Sequence, residues 1–165
     1  MTTFMTYKTI RLVALGTFFL FTISVSIYAK TITGKVISVK DGDSIVLLKK
    51  KSQYVIRLVN IDCPELHQAY GTQAKLFTSG LVSGKVVKAE YVTKDKYGRY
   101  LAEIFLPDGR SLNRDLVRNG FAWKYDRYTN DISLEALEQQ ARKYKIGLWK
   151  DDNPIPPWEF RKKKK

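Results

Sequence analysis

The sequence predicts a small all-β or α+β fold: a closed five-stranded Greek-key barrel with three helices, whose best-known form is the oligonucleotide-binding barrel. Three observations lead there. Five segments have strand length and strand patterning; one helical segment separates the third from the fourth; two more helical segments follow the fifth. At 165 residues the chain suits one domain of ordinary size. Its hydrophobic content of 44% is enough for a packed core and too high for wholesale disorder. Several α+β folds share this order of elements.

Residues 31–39 alternate, with Ile32, Gly34, Val36 and Ser38 on one face. Asp41-Gly42-Asp43 is a turn. Residues 44–49 and 53–60 form the next two strands, joined by the basic turn Lys49-Lys50-Lys51-Ser52, and Pro64 stops the second of them. Residues 72–83 read as a helix with Ala74, Phe77 and Leu81 on one face and Gly84 past its end. Residues 85–92 and 99–106 are two more strands around the turn 94–98. A short helix at 112–119 closes at Gly120, and a longer one at 133–145 closes at Gly147. Leu134, Leu137, Ala141 and Tyr144 form the apolar stripe of the longer helix. Its Glu135 and Glu138 lie early and Arg142, Lys143 and Lys145 late, which suits the helix dipole. The domain therefore occupies 30–150. Residues 151–165 are expected to form an extended basic tail, pinned in part by Trp158 and Phe160.

Residues 1–29 read as an address. Lys8 and Arg11 precede an uncharged apolar run at 12–29, and Ala29 stands at the cleavage point of a secretory signal. The alternative is an uncleaved membrane anchor, since about 18 residues can just span a bilayer. Ile27 is larger than the small residue usual three positions before cleavage. Either way the domain works outside the cytoplasm, secreted or in the periplasm or cell envelope.

Charge and composition narrow the chemistry. The net charge is +13. Without residues 1–29 it is +11, and without the five cations at 161–165 the body still carries +6. The expected partner is a polyanion: nucleic acid first, an anionic membrane surface second. One Cys excludes an intramolecular disulfide, and one Cys with one His excludes a structural Cys/His zinc site. A metal-dependent hydrolase of this composition holds its ion with carboxylates, which favours Ca²⁺, Mg²⁺ or Mn²⁺.

Four clusters carry the candidate chemistry: Asp41-Gly42-Asp43-Ser44, residues 57–65, Asp95-Lys96-Tyr97-Gly98-Arg99, and the aromatic-basic stretch 123–128. Asp43 and Asp62 fall at the ends of neighbouring strands, and two carboxylates meeting there repel unless a cation lies between them. Arg57 and Arg99 supply planar forks for phosphate oxygens. Glu65 is placed to orient or deprotonate a water. Together these groups suit phosphodiester hydrolysis, in which the extra charge on five-coordinate phosphorus must be stabilised. Each signal is weak alone. Asp-Gly-Asp and 95–99 are also ordinary turns, Arg57 with Asp62 is also a plausible structural ion pair, and Tyr125 and Tyr128 also suit a core or its rim. A Cys63–His67 thiol pair lacks a third orienting group.

The order and spacing of these motifs resemble the staphylococcal nuclease (thermonuclease) family. The shared elements are the Asp-Gly-Asp turn, Arg57-Leu58 followed by Ile61-Asp62-Cys63-Pro64-Glu65, Asp95-Lys96-Tyr97-Gly98-Arg99, and Asn113 with Leu116-Val117 and Gly120. The likeness spans residues 31–149. It implies an oligonucleotide-binding barrel with three helices and a Ca²⁺-dependent endonuclease acting on DNA and RNA, leaving 3′-phosphate and 5′-hydroxyl ends; no feature of the sequence requires more than a monomer. By motif, Asp43 and Asp62 would ligate calcium through their carboxylates and Cys63 through its backbone carbonyl. Glu65 would be the general base. Arg57 and Arg99 would clamp the phosphate. Lys96, Tyr97 and Tyr125 would bind substrate, Tyr125 by stacking on a base. One departure is the short segment Leu66-His67-Gln68-Ala69 between Glu65 and Tyr70, where the staphylococcal enzyme has a longer, lysine-bearing loop. The rival expectation is a non-catalytic nucleic-acid-binding barrel, which would not need all five of Asp43, Asp62, Glu65, Arg57 and Arg99.

Overall fold

The computed structural model describes residues 29–125 and 129–163. The proposed export signal lies outside them except for Ala29, as do Asp126, Arg127 and Tyr128 of the aromatic-basic stretch and the last two lysines. Five strands close a barrel: β1 (Lys30–Asp41), β2 (Ser44–Lys49), β3 (Ser52–Leu58), β5 (Val86–Lys94) and β6 (Tyr100–Phe105), in the order β1-β2-β3-β6-β5. All pairs are antiparallel except β3 with β6, which run parallel and close the cylinder. Closure leaves no unpaired sheet edge.

The alternation in β1 holds through Ile32, Gly34 and Val36, which are buried. It then slips. A bulge between Val36 and Ser38 turns Ser38 outward and brings Val39 against the core. One extra residue reverses the faces of a strand, which is why the expectation for Ser38 fails. The barrel is filled by Ile45, Leu47, Ile56, Leu58 and Ile104, each at most 1% exposed.

β3 ends at Leu58, two residues before the sequence suggests. Asn60 takes a left-handed φ of 66°, and the chain re-emerges as a separate two-residue strand, β4 (Ile61–Asp62). β4 pairs with β7 (Trp123–Lys124), outside the barrel. Asp62 therefore belongs to a small second sheet rather than to the end of a barrel strand.

The helices α1 (Gly71–Val82), α2 (Leu112–Arg118) and α3 (Ile132–Lys143) follow the predicted order. On α1 the most buried side chains are Ala74, Thr78 and Val82, while Phe77 and Leu81 flank the core. Ser111 caps α2 by accepting from Arg114 N, and Asp131 caps α3 by accepting from Ser133 N and Leu134 N. Gly120 sits past α2 at φ 65°, so close to Ile146 that an added Cβ would lie 2.1 Å from its carbonyl oxygen. Tyr144 does not complete the apolar stripe of α3. It is the C-cap, 62% exposed, with Lys143 over its ring.

The segment after 150 departs most from expectation. Instead of an extended tail, Pro157–Lys163 forms a fourth helix, α4. Pro at the first helical position has the required φ and no amide to orphan. Trp158 joins an aromatic cluster with Trp123, Trp149 and Tyr70, and Arg142 lies 3.7 Å from the centroid of Trp149. Among the described residues no helix is long and apolar enough to cross a membrane.

Candidate active site

A cavity of about 750 Å³ opens at one end of the barrel. Eight of the nine site residues read from the sequence line it: Asp43, Arg57, Cys63, Glu65, Lys96, Tyr97, Arg99 and Tyr125. The ninth, Asp62, is fully buried and bonded to two arginines that do line the cavity, Arg57 and Arg161.

Asp43 owes its place to the β1–β2 turn, which three contacts hold. Asp43 N donates to Asp41 Oδ1 at 3.1 Å. Leu58 N donates to the Asp43 carbonyl at 2.8 Å. Thr78 Oγ1, from α1, donates to the Gly42 carbonyl at 2.6 Å. Gly42 is packed so tightly that a Cβ would lie 2.8 Å from Cys63 Sγ and 2.9 Å from Ala74 Cβ, so only glycine fits without a shift. The Asp43 carboxylate then accepts from Cys63 N at 2.7 Å, tying the turn to β4.

Arg57 bridges the two buried acids. Its Nη1 is paired with Asp43 Oδ1, and its Nη2 is 2.5 Å from Asp62 Oδ1. The ion pair read from the sequence is thus real, but it is one arm of a three-residue arrangement. Two carboxylates, 2% and 0% exposed, converge on one cationic group. Such a place demands positive charge, and its oxygen donors suit a hard divalent ion. Among the described residues no set of three or more His, Cys, Asp and Glu side chains could hold a metal. An ion here would complete its shell with backbone carbonyl, water or phosphate oxygens.

The Cys63 side chain belongs to the core, and burial pushes its thiol up in pKa, so the neutral form dominates. His67 lines a different, smaller cavity beside Tyr70 and Phe160. The thiol–imidazole pair is therefore excluded. The Cys63 backbone meets the site through its amide, which donates to Asp43.

Arg99 and Lys96 stand on the β5–β6 hairpin. Asp95 organises it by accepting from Tyr97 N at 2.9 Å, Arg99 N at 3.0 Å and Arg99 Nε at 2.6 Å. Burial opposes charge on Asp95, but these hydrogen bonds outweigh it and hold the carboxyl below its usual range. The turn is thus ordinary in form while aiming Arg99 into the cavity. Tyr97 is 72% exposed at the rim, with Lys96 and Arg99 near its ring. Tyr125 reaches the wall because Tyr125 N donates to Asn60 O at 2.9 Å, continuing the β4–β7 pairing.

Three contributors were not singled out as site residues. Asn113 is buried, donates through Nδ2 to Val59 O and Ala102 O, and accepts from Ile104 N. It pins the β3–β4 connection, and with it Arg57 and Asp62, to β6. Thr78 holds the acidic turn. Arg161 donates to Asp62 Oδ2 and Glu65 Oε1, each at 2.7 Å. The polar Thr78 within an apolar helix face was a legible signal. Arg161 stands in a run of five cations and had none.

The family model described as "Staphylococcal nuclease homologue" matches residues 55–151. That segment contains every predicted site residue except Asp43, and it ends before α4. The chain is 42% identical over 145 residues to an Escherichia coli protein named "Uncharacterized endonuclease", covering 88% of this chain and 95% of the relative. It is 36% identical over 134 residues to a Haemophilus influenzae protein of the same description, covering 81% and 75%. It is 32% identical over 142 residues to the "Micrococcal nuclease" of Shigella flexneri, covering 80% and 82%.

Proposed function

The chain belongs to the staphylococcal nuclease family, and on that premise we propose that it is a calcium-dependent endonuclease. It hydrolyses phosphodiester bonds in DNA and RNA without regard to the sugar and leaves 3′-phosphate and 5′-hydroxyl ends. One observation carries the reading: Asp43, Arg57, Glu65 and Arg99 face one cavity, with Asp62 bonded directly beneath it. A module that only binds nucleic acid has no use for three acids at the floor of a basic site.

The roles follow from placement. Asp43, Asp62 and the Cys63 carbonyl would hold calcium, which supplies positive charge to the phosphate oxygens when bound. Arg57 and Arg99 present planar guanidinium groups to the same phosphate and offset the charge gained at phosphorus. Glu65 receives the proton of the attacking water or orients it. The water oxygen bonds to phosphorus as the P–O5′ bond breaks, the departing O5′ takes a proton from solvent water to become the 5′-hydroxyl, and the attacking oxygen stays on the 3′-phosphate. Tyr97 and Tyr125 offer aromatic faces to bases, and Lys96 offers charge to a neighbouring phosphate. None of these contacts reads sequence, which suits a non-specific nuclease. The proposal includes export by residues 1–29 and action as a monomer outside the cytoplasm.

The test is cleavage of single-stranded DNA, duplex DNA and RNA, with calcium and with chelator, beside Glu65→Gln. Calcium-dependent cleavage that collapses in the variant is expected. Salt-sensitive binding without cleavage, under any divalent ion, would replace the enzyme with a binding module.

A further inference from the structure

We propose that α4 is an intramolecular cap on the active site. Arg161 occupies the carboxylates that a divalent cation would take, and Trp158 covers a face of Tyr125 that a base would use. The inference rests on the reading of the site as a calcium-dependent nuclease.

Two contacts from one helix carry it. Arg161 Nη2 lies 2.7 Å from Asp62 Oδ2, and its Nη1 lies 2.7 Å from Glu65 Oε1 and 3.3 Å from Asp62 Oδ1. With Arg57 Nη2 also on Asp62 Oδ1, both oxygens of the acid are covered by guanidinium groups. The second contact is aromatic. Trp158 stacks on Tyr125 at a centroid distance of 5.3 Å and an interplanar angle of 15°. Trp158 and Arg161 are three positions apart, so they share a helix face. That face meets the proposed metal ligand, the proposed base and the proposed stacking residue together.

Arg57 and Arg161 differ in freedom to leave. Arg57 is fixed in β3, 16% exposed and paired with both Asp43 and Asp62. Arg161 is 41% exposed on the seven-residue helix α4, which stands outside the barrel. Burial opposes its charge, but Asp62 and Glu65 more than compensate and hold its proton more firmly than usual. In the capped state every acid at the floor has a cationic partner and Glu65 is not free to take a proton from water. A divalent ion offers Asp62 more charge than one guanidinium does. A polyanion offers new partners to Arg161, Lys162 and Lys163. Both ligands therefore favour the uncapped state.

The test compares the purified protein with Arg161→Ala and Trp158→Ala. Calcium binding is followed by calorimetry, and binding of a short single-stranded oligonucleotide is followed by fluorescence anisotropy in chelator. Arg161→Ala is expected to bind calcium about tenfold more tightly, the scale of losing one charge-assisted competitor. Trp158→Ala, which changes no charge, is expected to bind the oligonucleotide about fivefold more tightly. Unchanged or weaker calcium binding by Arg161→Ala would overturn the cap and make Arg161 a support for Asp62. Weaker oligonucleotide binding by Trp158→Ala would overturn it too, making Trp158 part of the substrate platform. If neither the wild type nor Arg161→Ala binds calcium, the calcium reading falls, and the oligonucleotide measurement alone decides the cap. Arg161 is part-exposed on α4, outside the closed barrel, so its variant keeps the barrel intact.

Discussion

Arg161 Nη2 donates to Asp62 Oδ2 at 2.7 Å across 99 positions of chain. The acceptor is fully buried and the donor is 41% exposed. A charge buried that deeply requires a partner, and here the partners come from β3 and from the last helix. Asp62 is thus the point at which barrel, small sheet and chain end meet.

Asp62→Ala is expected to abolish cleavage together with its dependence on calcium. It removes the acid shared by Arg57 and Arg161, which keep Asp43 and Glu65 as partners, so the stability loss is expected to be about 1–3 kcal/mol. Urea denaturation gives the stability loss, and cleavage with and without calcium gives the function. Calcium-stimulated cleavage surviving in this variant would remove Asp62 from the ion site.

Arg99→Lys tests the fork. Lysine keeps the charge but cannot engage two phosphate oxygens in one plane. The expected result is a fall in kcat of about a hundredfold with a much smaller rise in KM. Equal changes in both would make Arg99 a substrate-positioning group.

Asn113→Ala is expected to destabilise the protein by about 2–3 kcal/mol, because it strands Ile104 N and the Val59 carbonyl, while Ala102 O keeps Val59 N as its donor. Thermal melting measures this. Asn113 does not line the cavity, so kcat well below the melting transition should stay near the wild-type value. A large kcat loss in a fully folded variant would mean that Asn113 governs the aim of Arg57 and Asp62.

Cys63→Ala should retain cleavage, since the ligand proposed at 63 is the backbone carbonyl and burial keeps the thiol neutral. Iodoacetamide should label the native protein slowly and the unfolded protein fast. Rapid labelling of the native protein with loss of activity would reinstate the thiol.

Asp95 sets an acid dependence. Its folded pKa lies below the ordinary 3.8, so the charged form is the one the fold stabilises. That contribution is complete above 3.8 and is lost as pH falls through the folded value. The stability gap between wild type and Asp95→Asn is therefore expected to be constant near neutrality and to narrow under acid. Melting temperatures across pH give the comparison, and a gap unchanged in strong acid would show that the Asp95 charge is irrelevant.

Much of the site was legible because its motifs are local. Asp43 lies in a hairpin turn, Arg99 closes a turn that Asp95 organises, and Glu65 follows a proline that ends a strand. Residue type and neighbour spacing describe such features completely. The left-handed turn at Asn60 was not legible, and it moves Asp62 out of the barrel. Nor was the bulge that reverses Ser38. Both are one-residue choices decided by which partner strand offers the better pairing.

From the sequence alone came the barrel with its helices, the family, and the set of acids, arginines and aromatics that line or underlie the cavity. Those follow from periodicity, turn residues and ordered motifs, which are properties of short windows. Only the tertiary structure decided the parallel β3–β6 closure, the link from Thr78 to the acidic turn, and the fate of the basic chain end. Lysine- and arginine-rich segments are normally solvated, and nothing local distinguishes Arg161 from its neighbours. Its role arises because burial of Asp62 creates a demand for positive charge and the Trp158 contact with Tyr125 brings that helix within reach.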